Sequence, residues 1–142
     1  MTPKLMGDLL GMRIHLTVGA LASALAQTAI AQSPTAKTLV GTWRGTSACL
    51  VHPSACNDEI VVYRITPTKA ADSLSLDARK IVGGEEQEMG VLGCRLAPPS
   101  GQVTCAIPRG IWHFSVRKDS LTGELRLLDN IRFREVRTVR VP

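Results

Sequence analysis

Four cysteines, a short run of glutamates and an arginine-dense final strand are the groups in this 142-residue chain whose types and spacing could do chemistry. Cys49, His52 and Cys56 have the spacing of zinc ligands. A closed structural zinc site needs four donors, and no second pair stands near these three in the sequence. Oxidation is the competing chemistry. Cys49 and Cys56 bracket one short loop. Cys94 and Cys105 flank the turn Pro98-Pro99-Ser100-Gly101, and a hairpin centred there sets them directly opposite each other. Disulfides Cys49–Cys56 and Cys94–Cys105 are therefore expected, and no metal.

The other reactive side chains lack a catalytic setting. Ser47, Ser54 and Ser115 sit outside any Gly-x-Ser-x-Gly elbow. His52 and His113 have no nucleophile or carboxylate at a telling spacing. Neither a phosphate loop nor a dinucleotide fingerprint is present. No catalytic residue, no cofactor and no enzymatic activity are expected. Glu85, Glu86 and Glu88 follow Gly83-Gly84 and read as a charged hairpin tip rather than a cation site. Near the carboxy terminus, Arg132, Arg134 and Arg140 share one parity and are assigned to a solvated outer face. Glu135 and Arg137 share the other parity with Ile131, Phe133, Val139 and Val141. That face is expected inside, as an internal ion pair or ligand anchor, unless a bulge near Glu135 breaks the pattern. A net charge of +5 and only two Trp, one Tyr and two Phe leave little for nucleic-acid recognition.

The amino-terminal 31 residues are set aside from the fold. Residues 16–31, LTVGALASALAQTAIA, are uncharged, follow Arg13 and end in Ala29-Ile30-Ala31. This is the pattern of a secretory signal peptide cleaved near Ala31, with Ala26 as a second site. The run is too short and too polar for a stable membrane span. Export into an oxidising compartment suits the four cysteines. A bacterial protein of the periplasm or the medium is expected, with no membrane insertion once the signal is cut.

Residues 32–38 read as a flexible lead-in to a domain at 39–142. No amphipathic helix is evident there. Apolar and polar residues alternate in eight short runs at 39–48, 59–66, 73–82, 85–96, 102–107, 111–117, 121–128 and 131–141. Turn residues separate them: Pro67, Gly83-Gly84, the 98–101 turn and Asp129-Asn130. Gly90 and Gly93 are bend points in run four. The expected fold is all-β, an eight-stranded antiparallel up-and-down barrel, with a β-sandwich as the competing arrangement. Closure removes the exposed edges an open sheet would carry. An eight-strand barrel is filled by its side chains or holds one small ligand.

Gly41-Thr42-Trp43 in the first run, with Arg132 and Arg134 in the last, resembles the lipocalin or calycin superfamily. The wider stretches GTWRGTSAC, DEIVVYRI and ARKIVGGEEQEMGVL look like a group of small exported bacterial lipocalin-like proteins of unknown function. The resemblance implies that Arg132 or Arg134 packs over Trp43 and closes one barrel end beside Gly41. The chain is shorter than typical lipocalins, so a large cavity is not expected. The resulting functional expectation is a protein that binds a small apolar or amphipathic molecule through inward Trp43, Trp112, Phe114, Phe133 and Arg137. The alternative is a protein-binding module, such as an inhibitor of an exported hydrolase, with an exported protein as partner.

Overall fold

The structure, a computed structural model, describes residues 36–97 and 100–142. The expected signal segment, residues 32–35 of the lead-in, and Pro98 and Pro99 of the fourth turn lie outside the described residues. Eight antiparallel strands follow in order: β1 (Gly41–Cys49), β2 (Glu59–Pro67), β3 (Ser73–Val82), β4 (Glu85–Ala97), β5 (Gln102–Ile107), β6 (Gly110–Arg117), β7 (Ser120–Leu127) and β8 (Arg132–Val141). Each pairs with the next, and β8 returns to β1, which closes the sheet into a barrel.

The period-two alternation decides which residues turn inward. In β2, Val61, Tyr63 and Ile65 are buried. In β3 the buried set is Leu74, Leu76 and Ala78, and in β7 it includes Leu121 and Leu125. Val62 faces outward yet is buried, because its cross-strand neighbours are Arg44 and Arg79, whose long stems can cover apolar surface. Cys94 and Cys105 are directly opposed across β4 and β5 and form a disulfide with Cα atoms 4.2 Å apart. Cys49–Cys56 closes the loop between β1 and β2 and consumes both sulfurs of the zinc-like spacing. Gly90 does mark an irregularity. The β3–β4 register shifts there and leaves Met89 unpaired, with Gly90 at φ 141°.

The lead-in ends in structure. Residues Ala36–Leu39 form a one-turn helix, α1, so the first strand starts at Gly41 and not at 39. Leu39 is fully buried, and Trp43 Nε1 donates to its carbonyl at 2.9 Å. The helix turn and the indole together plug this end of the barrel.

Two expectations about β8 are corrected. The arginine over Trp43 is Arg140, whose guanidinium carbon stands 4.2 Å from the ring centre; Arg132 and Arg134 lie toward the opposite end. The inward parity of β8 is also reversed. Arg134, Val136, Thr138 and Arg140 turn in, while Arg137 is 73% exposed and Val139 and Ile131 face solvent. The physical reason is that each inward arginine finds partners, so charge does not force it outside. The register shift between β7 and β8 skips Phe133, two residues from Glu135, and returns Arg132 to the outer face.

Candidate functional site

The plugged end holds Trp43, Leu39, Leu74, Val103 and Leu121. Toward the other end the inward side chains stop short of filling the barrel. They leave a cavity of about 220 Å³, to which all eight strands contribute. The walls grade from buried Phe114 to half-buried Trp112, Leu92 and Ile107 and exposed Met89. The space therefore opens at the end that carries the Cys49–Cys56 loop and the Gly83-Gly84 turn.

Aromatic rings build much of the wall. Trp112 and Phe114 are two residues apart on β6, so both turn inward. Their rings are stacked, with centroids 5.3 Å apart and planes 11° from parallel. Tyr63 meets the Phe114 ring edge-on at 5.9 Å. Gly123 on β7 makes room for this arrangement, since a Cβ there would come within 2.3 Å of the Phe114 ring. Leu76, Ala78 and Leu92 add aliphatic surface.

Four polar side chains line the same space: Ser47, Glu59, Tyr63 and Arg134. Arg134 donates through Nη1 to Ser47 Oγ at 2.8 Å and through Nη2 to the Asn57 carbonyl at 2.8 Å. It also pairs with Glu59 at 3.2 Å, and Lys80 approaches the other Glu59 oxygen at 3.4 Å. The Tyr63 hydroxyl has no hydrogen-bond partner among the described residues. No fully sealed polar side-chain atom among them is unpaired, so that oxygen touches the cavity's space. Burial pushes the Tyr63 phenol well above its ordinary range; nearby Arg134 opposes the shift and Glu59 adds to it. The phenol therefore keeps its proton throughout the physiological range.

Of the residues expected to contact a ligand, Trp112 and Phe114 line the cavity. Trp43 does not, because it seals the far end. Phe133 sits half-buried at the β8 irregularity, away from the lining. Arg137 is on the outer face, paired with Glu135. Sequence reasoning missed Tyr63, Glu59 and Ser47 as lining residues, and placed Arg134 outside. Tyr63 could have been found from its shared parity with Val61 and Ile65.

A second depression lies on the outer face of β5 to β8, between Gln102, His113, Glu124, Arg126, Arg132 and Glu135. Hydrogen bonds from Arg126 and then Arg132 hold the Glu124 carboxyl below the usual carboxylate range. These are surface ion pairs in contact with water, of small energetic weight. Similarly, Glu86 is engaged by both terminal nitrogens of Arg64, at 2.8 and 2.9 Å.

Compared with known proteins, the chain matches no family model, no curated protein and no solved structure. Two disulfides are compatible with an extracellular or periplasmic setting. Among the described residues no helix is long and apolar enough to cross a membrane.

Proposed function

We propose that this is an exported lipocalin-like protein, periplasmic or secreted, whose up-and-down barrel carries one small apolar or amphipathic molecule. The observation that carries the reading is the cavity to which every strand contributes, plugged at the Trp43 end and open at the other. Apolar cavities of about 150 Å³ take a benzene-sized guest. At about 220 Å³, this one has room for about ten non-hydrogen atoms. The signal pattern at 1–31 and the two disulfides support export. A binding role is favoured over catalysis because Ser47, Glu59 and Arg134 are bonded to one another, and the remaining polar group, the Tyr63 phenol, keeps its proton near neutrality.

A protein-binding role is the second reading. Leu128, 78% exposed, and Ile131 flank the β7–β8 turn at the open end and offer apolar surface to a partner. Native mass spectrometry separates the two, on protein isolated from the periplasm or medium of cells that export it. The expected spectrum shows the chain from near Gln32 onward with one small adduct that leaves on activation. Recovery only as a complex with another protein would favour the second reading and overturn the first.

A further inference from the structure

We infer that the cavity selects an uncharged ring compound of about ten non-hydrogen atoms carrying one hydroxyl or carbonyl group, and that the Tyr63 hydroxyl reads that group. The inference rests on the binding reading above and narrows it to a ligand class.

The first argument is an inventory of hydrogen bonds. Among the lining side chains, Ser47 already accepts from Arg134 and has only its hydroxyl proton left to give. Arg134 is committed to Ser47, Asn57 and Glu59. Glu59 is shared between Arg134 and Lys80. Tyr63 is 3% exposed, lines the cavity, and has a hydroxyl with no partner among the described residues. An orphan hydroxyl in so apolar a setting costs free energy unless a guest or water completes it. Because burial keeps the phenol protonated, it can both donate to a carbonyl and accept from a hydroxyl.

The second argument is charge. Within the lining, Glu59 and Arg134 neutralise each other. A ligand carboxylate would have to displace Glu59 from Arg134 while giving up its own hydration among Trp112, Phe114 and Leu76. Lys80 supplies one further positive charge, but its side chain is 35% exposed and water screens it. An uncharged guest meets neither cost.

The test uses toluene, p-cresol and p-toluate as probes, titrated by amide chemical shifts into the full exported chain and its Tyr63→Phe variant. In the wild type, p-cresol should bind about five- to tenfold more tightly than toluene, the worth of one net hydrogen bond. p-Toluate should bind most weakly. In Tyr63→Phe the p-cresol preference should fall to about one. The substitution removes a hydroxyl that bonds to nothing in the protein, and a urea midpoint no lower than that of the wild type verifies that the variant is folded. The wild-type comparison stands alone if it is not. Equal binding of toluene and p-cresol, tightest binding of p-toluate, or a p-cresol preference that survives Tyr63→Phe would each overturn the assignment while leaving the cavity a binding site. No shift at any lining residue with any probe would overturn the binding reading itself, and this inference with it.

Discussion

Arg140 joins the last strand to the segment before the first. Its guanidinium lies 4.2 Å from the centre of the Trp43 ring and donates through Nη1 to the Val40 carbonyl at 2.8 Å and through Nη2 to that of Thr38. One side chain thus holds the indole, the helix turn and the end of β8 in a single arrangement.

Replacing it should loosen that end of the barrel. Arg140→Ala removes a cation–π contact and two charge-assisted hydrogen bonds, and should lower stability by about 2–3 kcal/mol. Arg140→Lys should recover less than half, because an ammonium cannot stack and fork at once. Urea unfolding followed by tryptophan emission measures both variants; an unchanged midpoint for Arg140→Ala would refute the role.

Two glycines should behave in opposite ways. A Cβ at Gly45 would lie 2.0 Å from the Arg137 carbonyl oxygen, a backbone atom of the neighbouring strand, whereas one at Gly93 meets nothing within 4 Å. Gly45→Ala should therefore cost more than about 3 kcal/mol or abolish folding. Gly93→Ala should be neutral or stabilising by up to about 1 kcal/mol. Thermal unfolding of the two single variants decides the matter.

The hairpin disulfide should act on register. Removing it with Cys94→Ala and Cys105→Ala together should cost about 2–3 kcal/mol, the scale expected for closing a short loop. Non-reducing peptide mapping should still find Cys49 bonded to Cys56. Any peptide linking Cys49 to Cys94 or Cys105 in the wild type would contradict the observed pairing.

Tyr63 is the only tyrosine in the chain, so tyrosinate absorbance reports on it alone. Unfolded, a tyrosine ionises near pH 10; folded, burial holds its proton to higher pH. Its contribution to stability is whole below about pH 10 and is lost as pH rises beyond that value, since only the unfolded chain then releases the proton. A spectrophotometric titration of the folded protein should show no ionisation step near pH 10. Tyrosinate should appear only with unfolding, and a reversible step at pH 10 in folded protein would place the phenol in water.

Much of the barrel was legible because strand alternation and turn chemistry are local. Val61, Tyr63 and Ile65 announce an inward face within five residues, and Cys94 and Cys105 oppose each other across one turn. The site was less legible because its polar residues are satisfied at long range. Arg134 reaches Ser47 across 87 positions and Arg140 reaches Val40 across 100. Judged by apolar neighbours alone, Phe133, Val139 and Val141 outvote the arginines, and β8 reads inside out. Tyr63 hid differently: a lone phenol in a β-branched run looks like ordinary core until the missing partner of its hydroxyl is seen.

The pairing of β1 with β8 has a consequence for the order of assembly. Seven of the eight seams join consecutive strands, and such hairpins close quickly because little chain must be gathered. The last seam brings Thr42 to Val141, 99 positions apart in sequence, and must wait for the rest of the sheet to curl. Until it forms, β1 and β8 present bare backbone edges to any neighbouring molecule. Gly45 sits on that final contact, with no side chain between its backbone and that of Arg137 and Thr138. The same residue that permits intramolecular closure therefore lets the sheet satisfy both free edges within one chain, leaving none to pair with another.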